Sequence, residues 1–160
     1  MNIRPLTSGN RTAVIHILEN TPEFTPAEVA LACELLDAYL DDPPGSGYYH
    51  LVAEDGGKLA GYVCYGPTPI TEGTWDIYWI AVDRNIQGKG IGRELMAAAE
   101  KEIIQAAGRL ILVETSSKAG YEKTNLFYQR LGYQEVCRIT DFYMIGDDKI
   151  IYEKRFTSKT

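Results

Sequence analysis

The chain has 160 residues, the length of one ordinary domain, and its 45% apolar and 24% charged content is the usual balance of a folded, water-soluble protein. Lys+Arg number 16 against 22 Asp+Glu, leaving a net charge of -6. That excludes a general binder of nucleic acid or anionic membrane, because both need a dominant basic surface. No apolar run is long enough to span a bilayer. The opening MNIRPLTSGN has no apolar core and is not expected to act as a secretory signal. Cys33, Cys64 and Cys137 are widely spaced and form no CxxC pair, so neither a disulfide framework nor a zinc site is expected. A reducing, cytoplasmic setting is the simplest expectation.

A short first strand is predicted over Ile3 to Leu6, then a helix over residues 10 to 20, where Ala13, Val14, Ile17 and Leu18 fall at helical spacing. Thr25, Pro26 and Glu28 form the signature of a capped second helix, whose apolar face is Val29, Ala32, Cys33, Leu36 and Leu40. Pro43 to Gly47 is a loop. Tyr49 to Ala53 and Lys58 to Tyr65 read as a hairpin turned at Asp55-Gly56-Gly57. Thr74 to Val82 is the most strand-like segment, with Trp75, Ile77, Trp79 and Ala81 expected on one face. A glycine-rich turn, Gln87 to Gly92, leads into a helix to about Ala107, which Gly108 is expected to stop. Leu110 to Glu114 is a short buried strand and Glu122 to Leu131 a helix stopped by Gly132. Tyr133 to Ile139 and Lys149 to Phe156 are closing strands, with Asp141 to Lys149 as their connection. Cys64 and Cys137 lie in strands and read as core residues. His16 and His50 have no metal-ligand spacing with a Cys or carboxylate and read as structural; no metal is expected. The order β-α-α-β-β-β-α-β-α-β-β predicts one domain over 1–160: an antiparallel meander feeding a β-α-β unit, with the strands of Trp79 and Leu112 as parallel neighbours.

Gln87-Gly88-Lys89-Gly90-Ile91-Gly92 stands between a strand and a helix. Its glycines permit a tight turn and leave N–H groups uncovered, and the helix end adds unpaired N–H groups and a positive dipole end. Such a loop suits a pyrophosphate. The spacing is neither a dinucleotide G-x-G-x-x-G nor a P-loop, since Lys89 precedes Gly90 rather than Ser or Thr. A tight turn alone is the other reading of these glycines.

Gln87-x-x-Gly90-x-Gly92 resembles the Q/R-x-x-G-x-G/A signature of the GNAT N-acetyltransferase superfamily. Tyr78 to Asp83 is similar to that family's splayed fourth strand, and Leu126-Phe127-Tyr128-Gln129-Arg130-Leu131-Gly132-Tyr133 to its late helix. The element order matches over essentially the whole chain. The resemblance implies an α/β fold of α+β type: a mixed, mostly antiparallel seven-stranded sheet, helices on both faces, and a splayed parallel pair of fourth and fifth strands. It implies acetyl-coenzyme A as acyl donor. Its pantetheine would pair with the backbone of Ile80, Ala81 and Val82. Its pyrophosphate would be held by Gln87, Gly88, Lys89, Gly90, Ile91, Gly92 and Arg93. Many members carry a coenzyme-contacting asparagine seven residues before the helix tyrosine. Here that position is Tyr121, with Asn125 one turn further on, and either is a candidate contact.

The resemblance also places Tyr128 where the family often has a tyrosine near the coenzyme sulfur. A phenol with a pKa of about 10 can protonate a leaving thiolate. The alternative is a tyrosine that only packs behind Phe127. Glu114 closes its strand, at a position where some members use a glutamate as base through water, or it fixes the following loop. Asp76 and Glu72 are competing bases or ammonium anchors. Tyr78, Asp141 and Tyr143 are further candidates for the acceptor side, because aromatics with carboxylates suit a cationic amine. The expected reaction is direct acetyl transfer to a primary amine of a small molecule, amino acid or peptide. The alternatives are a non-catalytic acyl-coenzyme A-binding or sensory domain and a protein N-terminal or lysine acetyltransferase. Family members often dimerise, so a homodimer is a further expectation.

Overall fold

The computed structural model describes residues 1–156. Its strands are β1 (Asn2–Pro5), β2 (Tyr49–Asp55), β3 (Lys58–Pro67), β4 (Thr74–Val82), β5 (Leu110–Ser116), β6 (Gln134–Met144) and β7 (Asp147–Arg155). Its helices are α1 (Arg11–Glu19), α2 (Pro26–Asp41), α3 (Ile91–Gln105) and α4 (Glu122–Arg130). One seven-stranded sheet runs β1-β2-β3-β4-β5-β7-β6. Only β4 and β5 are parallel; the other neighbours are antiparallel. Helices α1 and α2 cover one face around Val14, Leu18, Leu36, Val52 and Tyr62. Helices α3 and α4 cover the other around Val63, Leu95, Ile103, Ile111 and Tyr128.

The local devices have visible causes. Thr25 Oγ1 accepts the Glu28 N–H at 3.2 Å and Glu28 accepts the Thr25 N–H at 2.9 Å, a complete capping box. Gly56 and Gly57, at φ 58° and 79°, make the β2–β3 turn. Helix α3 ends by a route the sequence does not announce. Ala107, not Gly108, takes the left-handed conformation (φ 61°), while the Gly108 N–H bonds the Ile103 carbonyl at 2.8 Å. Gly108 is needed for closeness, since a Cβ there would stand 2.3 Å from the Ile103 side chain.

Three sequence expectations are corrected. The alternation along β4 breaks at Tyr78, because Cys64 pairs with Trp79 and Tyr65 with Ile77, so Tyr78 is bulged out of the ladder. Trp75 and Ile77 therefore face the α3/α4 core, while Trp79 and Ala81 face the α1/α2 core. The connection expected over Asp141 to Lys149 is mostly strand. Phe142, Tyr143 and Met144 favour extended backbone and carry β6 onward past a register shift, leaving a turn at Ile145–Gly146. Asp141 sits at that irregularity with φ 54°; its N–H bonds Asp148 at 3.0 Å and its carboxylate accepts the Gly146 N–H at 2.8 Å. Finally, Cys137 is exposed rather than core, because β6 is an edge strand that no helix covers; Cys64 is buried.

Candidate active site

The bulge marks where the sheet opens. Parallel pairing runs from Thr74↔Leu110 to Ile77↔Val113 and stops there. Beyond it β4 remains bonded to β3 as far as Gly61↔Val82, and β5 to β7 as far as Ser116↔Lys149. Tyr78 to Val82 therefore present one backbone edge to a gap. A cavity of about 460 Å³ occupies the gap, walled by β4 from Asp76 to Ile80 and by β5 from Glu114 to Ser116. Glu28 and Leu31 of α2 line it from one face and Thr124 and Tyr128 of α4 from the other, so it passes through the sheet.

The glycine loop lies beyond the β4 end of this gap. Gly88 and Gly90 adopt φ 87° and 77°, and Gly90 is the N-cap of α3. A Cβ at either would touch nothing, so conformation rather than space selects glycine there. Gly92 has the other reason: a Cβ would lie 3.3 Å from the Phe127 ring, which ties the start of α3 to α4. The first helical hydrogen bond of α3 is Glu94 N–H to Gly90 carbonyl. The N–H groups of Ile91, Gly92 and Arg93 precede it and have no partner within the helix. Arg84, Lys89 and Arg93 are exposed around this loop, and Lys89 approaches Asp55 at 4.0 Å. Bare amides, a positive helix end and local cations fit a pyrophosphate, and the bare edge of β4 fits an amide-bearing chain.

Tyr128 is 4% exposed and packs on Phe127, Tyr133 and Tyr152 at ring distances of 5.3, 5.9 and 6.1 Å. Its hydroxyl has no hydrogen-bond partner among the described residues, although the side chain lines the cavity. Burial holds its phenol far above the ordinary range, so it stays protonated. Across the gap, Asp76 accepts the Thr68 hydroxyl at 2.6 Å, and burial and then Glu114 raise its carboxyl above the ordinary value. Glu114 is half exposed and pairs with Lys149 at 3.0 Å. The Tyr78 ring meets Tyr48 edge-on at 5.4 Å, and its phenol is pushed up to about 12, by burial first and then Asp76.

The cavity thus brings together Asp76, Tyr78, Ile80, Glu114, Tyr121, Tyr128 and Tyr143. Ala81 is buried between β3 and the α1/α2 core, and Val82 packs toward the other core. Tyr121 lines the cavity beside the α1–α2 connection rather than the glycine loop: its hydroxyl donates to the Glu23 carbonyl at 3.0 Å and Lys118 lies over its ring at 5.2 Å. Both ends of Asn125 are engaged, its oxygen by Thr115 at 2.6 Å and its nitrogen by the Ser116 and Tyr121 carbonyls at 3.1 and 2.9 Å. Glu72 and Asp141 do not line the cavity; Glu72 lends its backbone carbonyl to Arg109 at 2.7 Å. Glu23, Phe24 and Leu31 were missed as wall residues, and Glu28 was read only as a cap. Nothing in a helix-to-helix connection signals that it crosses a gap in a distant sheet. Among the described residues no cluster of metal-ligating side chains occurs.

A family profile described as "Acetyltransferase (GNAT) domain" matches residues 46–135. A protein assigned to the GNAT family of acetyltransferases from Desulfovibrio desulfuricans is 40% identical, with a TM-score of 0.93 over 96% of this chain and 98% of its own. More distant solved structures share the fold. A ribosomal-protein-alanine N-acetyltransferase from Brucella melitensis is 22% identical, with TM-score 0.76 over 98% of this chain and 100% of its own. An aminoglycoside 6'-N-acetyltransferase complexed with coenzyme A is 20% identical, with TM-score 0.78 over 100% and 99%. A search of curated proteins gives no significant match. The mixed sheet opened between a parallel strand pair, with a glycine loop and the N-terminus of α3 at its rim, is the scaffold of an acyltransferase. The chain belongs to the GNAT acetyltransferase family.

Proposed function

We propose that the chain is a single-domain, cytoplasmic N-acetyltransferase that moves the acetyl group of acetyl-coenzyme A to a primary amine. The observation that carries this reading is the passage through the sheet, with an unbonded phenol on the α4 side and carboxylates on the α1/α2 side. The relative with coenzyme A bound supports the choice of donor. Acetyl-coenzyme A supplies the activated acetyl group. The free edge of β4 from Tyr78 to Val82 orients its arm, and the loop from Gln87 to Arg93 holds its pyrophosphate.

The acceptor enters from the opposite face, so the amine reaches the carbonyl carbon directly. The carbon–nitrogen bond forms as the carbon–sulfur bond breaks. Tyr128 gives its phenolic proton to the departing sulfur, and the amine proton goes to a carboxylate or its water. Asp76 is the better acceptor of that proton, since burial raises its carboxyl while Glu114 is engaged by Lys149. Glu114 steers the cationic acceptor and stands second as base. A homodimer belongs to this reading. Incubation with acetyl-coenzyme A and a panel of primary amines tests it: thiol release with an acetylated product is expected. Tight coenzyme binding without transfer to small amines, peptide N-termini or lysines would indicate a sensory domain.

A further inference from the structure

Asp147 opens β7 beside Ser116 and is only 5% exposed, yet it lines the cavity. The Ser116 hydroxyl donates to one of its carboxylate oxygens. The other oxygen takes no donor, and no cation lies within ion-pair distance of Asp147 among the described residues. Both nearby lysines are occupied elsewhere: Lys149 holds Glu114 at 3.0 Å and Lys118 lies over the Tyr121 ring. A buried carboxylate without a cation is costly, and ordinary folds pair it. The walls around it do not supply the missing charge. The cavity is lined by five carboxylates against one lysine. Tyr121 and Tyr143 line the same cavity as Asp147, and their phenols are held above the ordinary range by burial first, with Asp147 a smaller contribution among the nearby carboxylates.

Resting on the acetyl-transfer reading, we infer that the acceptor is a dibasic amine: one amino group is acetylated beside Tyr128, and a second cationic group docks on Asp147 between Tyr121 and Tyr143. Register sets the scale. Asp76 lies level with Leu112 and Asp147 beside Ser116, four residues further along β5. At about 3.3 Å per residue that is roughly 13 Å of strand. The two anchoring points therefore stand at opposite ends of the opening, and one extended aliphatic amine reaches both. The Ser116 hydroxyl fixes Asp147, so the anionic oxygen is set before the ligand arrives. A carboxylate oxygen without a donor, facing a cavity that Tyr121 and Tyr143 also line, then selects an ammonium over an uncharged tail.

The test compares butane-, hexane- and octanediamine with butyl-, hexyl- and octylamine in a thiol-release assay, together with calorimetric binding of the same amines. At the best chain length the diamine is expected to exceed its monoamine at least tenfold in kcat/KM and in affinity. Asp147→Asn keeps the Ser116 contact and should collapse that ratio to within about threefold. Asp147→Glu is expected to restore part of it at a different chain length. A ratio near one in the unmodified protein, or a ratio that Asp147→Asn leaves intact, overturns the inference. Transfer to monoamines without diamine preference sinks this inference alone. Asp147-dependent diamine binding without transfer sinks the acetyl-transfer reading and leaves the cation site standing.

Discussion

Tyr128→Phe removes one oxygen from the centre of the site. The ring keeps its contacts with Phe127, Tyr133 and Tyr152, at 5.3, 5.9 and 6.1 Å. The lost hydroxyl has no hydrogen-bond partner among the described residues, so no acceptor is orphaned. The folding cost should stay within about 1 kcal/mol. If the phenol is the proton donor to the leaving sulfur, kcat should fall about 10²–10⁴-fold, the usual size of general-acid catalysis. That corresponds to roughly 3–5 kcal/mol of barrier. The KM values for both substrates should change little, because the hydroxyl acts as the bond breaks and not on binding. Burial holds the phenol above its ordinary value, so the acid form persists and Tyr128 should produce no alkaline limb below about pH 10. Steady-state thiol release with saturating acetyl-coenzyme A, run beside thermal unfolding, separates the two effects. A variant of unchanged melting temperature with kcat within about threefold of the parent refutes the acid role.

Gly90→Ala should cost about 1–2 kcal/mol of stability, because its φ of 77° is left-handed and the new Cβ meets no neighbour; the KM for acetyl-coenzyme A should rise, read by thermal unfolding and kinetics. Asp76 has a raised carboxyl, so the folded chain holds a proton there that the unfolded chain has already lost. Stability is therefore lost as pH rises from the ordinary carboxylate value through the folded one, and Asp76→Asn should raise the melting temperature at neutral pH but not at pH 3. His50 moves the opposite way: burial lowers it from 6.5 to about 4, so the unfolded chain binds the extra proton. Stability should fall on the order of 3 kcal/mol as pH drops across that window. His50→Phe should flatten that slope in chemical denaturation.

The fold was legible because its signals are local. The Thr25–Glu28 box, the Gly56–Gly57 turn and the strand propensity of Thr74 to Val82 each act within a few residues. The β4 bulge was not legible. Unbroken alternation from Trp75 to Ala81 reads as a regular strand, and only pairing with Cys64 and Tyr65 shows that Tyr78 is left out. The extent of β6 was missed because Asp141 and Gly146 look like loop punctuation, whereas Asp141 sits within a strand irregularity. Within the site, Tyr128 and the glycine loop stand in motifs. Glu23 and Glu28, at the entry to α2, reach the cavity only because the folded sheet brings that connection to its opening, whereas Asp147 stands in a segment whose carboxylates and aromatics already point to a cationic amine. Their place on the cavity wall comes from convergence in the fold, and sequence spacing does not encode it.

In the proposed reaction the gap between β4 and β5 brings an acyl donor and an amine together from opposite faces of the sheet. Mass spectrometry of amines incubated with the protein and acetyl-coenzyme A tests this most directly. One added acetyl group on a primary amine is expected, formed in step with free thiol and largely lost in Tyr128→Phe. Free thiol without an acetylated amine, or an acetylated product formed equally by Tyr128→Phe, contradicts it.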